Sequence, residues 1–143
     1  MQMGHAHDNV KELVEVIHAA EAVVVGAGSG LSTAAGLTYD GERFRRHFSD
    51  FIEARGFTDM YTAGFFPFPT LEEQWAYWSR HIWYNRYVKA PKDTYKKLLK
   101  LLDCKDFFVL TTNVDHQFQL AGFPKERPTT RSEERRVGKE CRS

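Results

Sequence analysis

The chain has 143 residues, of which 20 are basic and 19 are acidic, so its formal net charge is +1. This balance gives no electrostatic reason to expect binding to nucleic acid or to an anionic membrane. Its two cysteines form no C-x-x-C pair that could bind zinc. Its first residues hold no apolar run typical of a signal peptide, and no stretch approaches the roughly 20 apolar residues of a membrane span. A cytoplasmic protein acting on a small molecule or a protein is therefore expected.

The first elements predict the opening of an α/β sheet. Apolar residues recur at helical spacing in residues 10–17 and predict an amphipathic helix that begins after Asp8 or Asn9. A buried strand is expected at residues 22–25, followed by a glycine-rich turn. The next helix is expected to begin near Ser32, whose hydroxyl would cap it. The order of helix, strand, turn and helix is typical of doubly wound sheets, whose ligands bind at the carboxyl ends of the strands.

A segment unusually rich in aromatic side chains follows, and residues 39–90 are interpreted as an inserted helical module. Thr70 to Glu73 form a capping box that predicts a helix continuing to Tyr87. We interpret the aromatic side chains as core packing rather than ligand stacking, because aromatic rings mainly supply buried area. The face of this helix predicted to be apolar carries Leu71, Trp75, Trp78 and Ile82.

The chain then returns to an α/β pattern. Pro91 suits the first turn of a helix, and a buried parallel strand is predicted at residues 107–110. Val114 to Leu120 read as a short helix that stops at Gly122. The side chains expected to face the sheet are Tyr95, Leu98, Leu99 and Leu102, and those expected to face water are Lys92, Lys96, Lys97 and Lys100.

The glycine-rich turn predicts a phosphate-binding backbone, because glycine lets the main chain approach an anion closely. A P-loop is disfavoured because no lysine lies near Gly30. The dinucleotide fingerprint G-x-G-x-x-G also fails, since Leu31 or Thr33 stands where its last glycine should be. A hydride-transferring dehydrogenase is therefore a distant alternative.

Two segments together resemble the sirtuin family. Residues 28–37 resemble its Gly-Ala-Gly-Ile-Ser-x-x-x-Gly-Ile segment, and residues 112–115 resemble its Gln-Asn-Ile-Asp. The resemblance covers residues 22–130 and implies an α/β fold, the Rossmann-like parallel sheet of a sirtuin NAD-binding domain with an inserted helical module. The chain departs from sirtuin deacylases at residues 38–41, where they have Pro-Asp-Phe-Arg, and at Thr112, where they have Gln. The altered loop and the extra glycine at Gly26 resemble the macrodomain-linked, class M branch of microbial sirtuins.

The resemblance implies NAD as co-substrate and cleavage of its nicotinamide–ribose bond, with transfer of ADP-ribose to a protein acceptor. Members of this branch include enzymes that modify a lipoyl-carrier protein, and their genes are linked to a macrodomain partner. Two alternatives stay open, an NAD-dependent protein-lysine deacylase and a non-catalytic NAD-binding sensor. The sequence leaves the need for zinc unknown and offers no ligands for it.

The resemblance also implies roles for individual residues. Asp115 would accept hydrogen bonds from the nicotinamide carboxamide. Asn113 would lie beside the ribose or order the acceptor, although both residues could instead cap a helix. His116 is expected to face outward rather than act as a base, and Arg43, with Arg45 or Arg46, is a weaker candidate for a phosphate contact. The predicted cofactor-binding residues are Ala27, Gly28, Ser29, Gly30, Ser32, Thr33, Thr112, Asn113, Val114 and Asp115.

The last residues, 131–143, differ in character from the rest of the chain. They hold few apolar side chains and match a translated sequencing adapter. They carry a net +2, so the remaining residues carry −1. We therefore expect residues 1–130 to be the amino-terminal part of a sirtuin-type domain and residues 131–143 to be a non-native tail. On this interpretation the deciding catalytic residue lies past Pro128, and the chain as written does not turn over.

Overall fold

The computed structural model describes residues 3–103 and 105–124, with side chains from residue 8 onward. This part of the chain is mixed α/β, with helices and a parallel pair of strands. The predicted tail at 131–143 and the expected boundary at residue 130 lie outside the described residues. Within them, no helix combines the length and apolarity needed to cross a bilayer.

The two strands lie parallel, as predicted. Strand β1 (Ala22–Ala27) pairs with β2 (Asp106–Thr111), so that Ala27 is opposite Thr111 at the carboxyl end. The expectation that both strands are buried is only half right, because burial alternates along each of them. In the described residues the helices pack on one face, and the other exposes Val24 and Leu110. The pairing brings the two sirtuin-like segments to one edge of the sheet.

The helices follow the predicted order with shifted ends. The first helix begins before Asp8, and its apolar side chains are mostly exposed. The helices are α1 (Met3–Ala19), α2 (Ser29–Ala34), α3 (Gly41–His47), α4 (Ser49–Arg55), α5 (Met60–Ala63), α6 (Leu71–Ile82), α7 (Thr94–Leu102) and α8 (Gln117–Leu120). A π-helical turn (Trp83–Tyr87) extends α6.

Helices α3 to α6 enclose an aromatic core, which agrees with the interpretation of the aromatics as packing residues. Tyr77 on α6 is fully buried, and its hydroxyl donates to the Met60 carbonyl at 2.6 Å. The predicted apolar face of α6 is only partly right, because Trp78 and Ile82 are half-buried whereas Leu71 and Trp75 are exposed. Tyr77, outside that face, points into the core. The predicted cap is confirmed, since Thr70 Oγ1 accepts from the Glu73 N–H. The buried members of this core are Phe44, Phe48, Phe51, Met60, Ala63 and Tyr77.

A second core lies between the sheet and α7. Tyr95 and Leu102 are buried there and the four lysines are exposed, as predicted for α7. Gly36 ends α2 with a positive φ of 92°, and Pro91 packs closely against it. Because α2 carries part of the glycine-rich segment, this contact fixes that segment against the chain leading into α7. The buried residues of the second core are Ala35, Tyr95, Leu102, Phe118 and Phe123.

Candidate functional site

A cavity of about 990 Å³ opens at the carboxyl ends of β1 and β2. One wall is polar and comes from the two sirtuin-like segments. The opposite wall comes from the helices between the strands and is largely aromatic. The residues predicted as cofactor-binding that line it are Ser29, Ser32, Thr33, Thr112, Asn113, Val114 and Asp115. Ala27, Gly28 and Gly30 lie outside this lining.

Hydrogen bonds join the two segments across the polar wall. Ser32 Oγ donates to Asp115 Oδ2 at 2.5 Å, although the residues are 83 positions apart in sequence. Asn113 Nδ2 donates to Ser32 Oγ at 3.1 Å and to the Gly28 carbonyl at 2.8 Å. The proton of Ser32 is therefore committed to Asp115 while its lone pairs accept from neighbours. The two predicted catalytic side chains thus lie on either side of one hydroxyl.

The structure corrects the role of Ser32 and adds one to Asp115. Ser32 does not cap α2, because the helix already begins at Ser29 with Gly28 as its N-cap. The hydroxyl is thereby left to bind Asp115. Asp115 Oδ1 accepts from the Gln117 N–H at the start of α8, so one carboxylate oxygen serves the helix start while the other accepts from Ser32.

Tyr95 is a member of the polar network that the sequence did not reveal. Its hydroxyl lies 3.1 Å from Ser32 Oγ and 3.4 Å from Asp115 Oδ2. Burial raises the pKa of Tyr95, so the phenol keeps its proton at neutral pH and can donate to either oxygen. Tyr95 thus offers the Asp115 carboxylate a second hydroxyl donor, beside that of Ser32. Only its place on the buried face of α7 was predictable.

The aromatic wall contains a neutral histidine. The ring of His81 lies among Tyr39, Tyr77 and Trp78, at centroid distances of 5.7, 5.9 and 5.1 Å. Its Nδ1 atom is buried and has no hydrogen-bond partner among the described residues. Burial, followed by the charge of Arg43, lowers the pKa of His81. The imidazole is therefore uncharged at neutral pH.

Arg86 and His116 connect the two walls. Arg86 lies on the π-helical turn and donates to the Val114 carbonyl at 2.5 Å. Its other terminal nitrogen meets Nε2 of His116, which has a left-handed φ of 57°. The expectation that His116 faces outward is wrong, because its ring is half-buried against this guanidinium. No sequence signal indicated either contact.

The arginine predicted to reach a phosphate has a structural role instead. Arg43 donates to the Thr38 carbonyl, to Asn85 Oδ1 and to the Tyr84 carbonyl at 2.7–2.9 Å. Burial lowers its pKa. Arg45 and Arg46 are exposed on α3 and do not line the cavity. Among the arginines of the described residues, Arg86 is the one in the cavity wall.

Residues 3–103 and 105–124 contain no group of three or more His, Cys, Asp or Glu placed to hold a metal ion.

Two proteins with functional names are similar to this chain. It is 39% identical over 107 residues to a Staphylococcus aureus protein named "Protein ADP-ribosyltransferase", a match that covers 75% of the chain and 34% of that protein. It is 37% identical over 125 residues to a Fusarium oxysporum f. sp. cubense protein named "Probable bifunctional ADP-ribose hydrolase/ADP-ribosyltransferase", covering 81% of the chain and 20% of that protein. No protein-family model matches the chain.

Both relatives are named for ADP-ribosyl chemistry, which agrees with the expected ADP-ribosyltransferase at that coarse level. The chain spans about a third of the length of the first relative and a fifth of the second.

Proposed function

We propose that this chain carries the NAD-binding part of a sirtuin-type protein ADP-ribosyltransferase of the macrodomain-linked branch. The observation that carries the proposal is the bonding of Ser32 to both Asn113 and Asp115 in one cavity wall. Two sequence segments that resemble a sirtuin NAD pocket thus meet in space. The names of the two relatives support transfer of ADP-ribose over deacylation.

The cavity fits the dinucleotide in size and in polarity. Its volume of about 990 Å³ is at the upper end of the usual range for small-molecule and cofactor sites. A Cβ built on Gly28 or Gly30 would meet nothing within 4 Å, so space remains beside the glycine-rich turn. In the proposal, the diphosphate lies against this turn, with the hydroxyls of Ser29 and Thr33 as additional donors.

The orientation of NAD follows from charge. A diphosphate would be repelled by the Asp115 carboxylate, whereas the nicotinamide carboxamide offers N–H donors to it. We therefore assign Asp115 to the nicotinamide end and Asn113 to the adjoining ribose. Breaking the nicotinamide–ribose bond leaves its electron pair on nicotinamide, and positive charge develops on the ribose carbon. A nearby carboxylate favours that charge.

The acceptor in this proposal is a protein, with a lipoylated carrier protein as the first to be tried. The bifunctional name of the Fusarium relative supports a functional link to ADP-ribose removal, which is the role proposed for the macrodomain partner. Incubating NAD and acceptor with the full-length enzyme, of which this chain would be the NAD-binding part, would release nicotinamide and add ADP-ribose mass to the acceptor. Loss of an acyl group from a lysine peptide would support the deacylase instead.

The first test is calorimetric titration of the chain with NAD, ADP-ribose and nicotinamide, because binding does not require turnover. Asp115→Asn should weaken NAD binding about tenfold, as expected for loss of a charge-assisted hydrogen bond, and leave ADP-ribose within about twofold. Asp8→Asn removes the same charge from an exposed position on α1 and should change neither. A wild-type chain that binds neither NAD nor ADP-ribose would reject the proposed NAD site.

A further inference from the structure

The segment that carries Asn113 and Asp115 has little regular structure of its own. Residues 112–116 belong to neither β2 nor α8, and the Val114 side chain is 77% exposed. Asn113 is fixed from β2, since its N–H donates to Thr111 Oγ1, and Asp115 is fixed from α8. Between these two residues, the Val114 carbonyl accepts its hydrogen bond from Arg86.

The same guanidinium holds the next turn of the segment. His116 has a positive φ, which non-glycine residues rarely adopt and which persists only where the surroundings enforce it. Arg86 is always protonated and can only donate, so the Nε2 atom of His116 must accept and the ring proton must lie on Nδ1. One side chain thereby fixes the positions of Val114 and His116, on both sides of Asp115.

Arg86 is itself rigidly placed on the opposite wall. It lies in a π-helical turn, where the Val88 N–H bonds the Trp83 carbonyl, and such turns often occur at functional sites. The neighbouring Asn85 is buried and bonded to Arg43 and to the His81 carbonyl. Arg86 thus extends from the aromatic core enclosed by α3 to α6 to the segment beyond β2.

We propose that Arg86 is a positioning residue, which holds residues 113–116 so that Asn113 and Asp115 face the nicotinamide end of NAD. This inference rests on the proposed NAD site. If Arg86 holds residues 113–116, the geometry of the polar wall depends on the helices that form the aromatic wall. Asn113 is held independently by Thr111, Gly28 and Ser32. Loss of Arg86 should therefore affect chiefly the contact of Asp115 with the carboxamide, which ADP-ribose lacks, and change ADP-ribose binding little.

The test compares NAD with ADP-ribose in titrations of Arg86→Gln and Arg86→Lys. Both variants should bind NAD about tenfold more weakly and ADP-ribose within about twofold of wild type. Lysine should not restore binding, since its single ammonium cannot span the Val114 carbonyl and the His116 ring as the planar fork does. Lys89→Ala, which removes an exposed cation three residues away, should match wild type.

The alternatives give different results. An equal loss of NAD and ADP-ribose affinity would overturn the proposal, because it would indicate a direct phosphate contact or general misfolding. Combining Arg86→Gln with Asp115→Asn adds a second check. If Arg86 acts through this segment, the double variant should be little weaker than Asp115→Asn alone, whereas additive losses would contradict the proposal.

A nitrogen NMR measurement tests the contact even if the chain binds no NAD. In the wild type, Nε2 of His116 should be unprotonated and Nδ1 protonated. Arg86→Gln should shift the Val114, Asp115 and His116 amides and redistribute the ring proton, whereas Lys89→Ala should do neither. Unchanged spectra in Arg86→Gln would overturn the positioning role independently of the proposed function.

Discussion

At the scale of single residues, Ser32 shows how much of the site its sequence motif predicted. Its presence in the site was expected from the glycine-rich segment, and the parallel strands bring it to the segment containing Asp115. Tyr95 and Arg86 were not predictable as site residues. The positions of Tyr95 and Arg86 in the site depend on how α7 and the π-helical turn pack. No local pattern in the sequence encodes that packing.

His81 provides a prediction about pH. Its pKa is lowered in the fold, chiefly by burial, so the unfolded chain takes up the proton more readily than the folded one. Its contribution is fully favourable above the unfolded pKa of about 6.5 and is lost as pH falls towards the folded pKa. The unfolding free energy should therefore fall as the pH is lowered below about 6.5.

Urea denaturation at several pH values measures this effect. His81→Gln, which cannot titrate, should show a shallower fall than wild type. His18→Gln, at an exposed position on α1, should retain the full fall. The groups facing His81 are Arg43, Tyr39, Tyr77 and Trp78, and a residual slope is expected from His47, whose pKa is also lowered by burial. A variant slope equal to wild type would show that His81 is not the titrating group.

At the scale of elements, the end of α2 is the place where backbone geometry most constrains the site. Gly36 has a φ of 92°, and a Cβ there would lie 2.5 Å from Pro91 Cγ. Gly36→Ala should destabilise the fold by about 3 kcal/mol, combining left-handed strain with overpacking. Thermal or urea unfolding of the variant gives the measured loss.

Gly41→Ala is the matched control, because that glycine has a φ of 67° but open space around it. It isolates the backbone strain and should cost about 1 kcal/mol. If the two variants lost equal stability, the contact between Gly36 and Pro91 would not matter.

The sequence predicted which elements form better than which of their faces are buried. The N-cap at Thr70 and the parallel strands rest on local chemistry and apolar runs, and both were found, although the Glu73 carboxylate of the predicted capping box binds Arg55 instead. The buried face of α6 was only partly right, because Tyr77 lies outside the predicted apolar stripe and fills the core, while Leu71 and Trp75 within it are exposed. The neighbouring helices select the buried face, and here they select Tyr77. The π-helical turn likewise has no distinguishing sequence pattern.

At the scale of the whole molecule, one face of the sheet is uncovered in the described residues. Val24 is 67% exposed on that face, while the next residue, Val25, packs against the second core. Val24→Thr should cost less than about 0.5 kcal/mol, as is usual for surface substitutions. Val25→Thr should cost about 1–3 kcal/mol, because it places a hydroxyl against apolar side chains.

Sedimentation over a range of concentrations complements the unfolding measurements. An exposed apolar strand face promotes association between copies, so Val24→Thr combined with Leu110→Thr should reduce self-association. Equal destabilisation by Val24→Thr and Val25→Thr would show that the outer face is covered in the folded protein.

The distance in sequence between the two halves of the polar wall also affects how the protein folds. Ser32 and Asp115 are 83 residues apart, and the aromatic core forms from the residues between them. Contacts that close long loops bear a larger entropic cost and form more slowly than local ones. The helices that supply Arg86 and His81 can therefore assemble first, and the pairing of β1 with β2 would complete the site late. During synthesis, the polar wall cannot form until residue 115 has left the ribosome, so the aromatic core is available before the binding site.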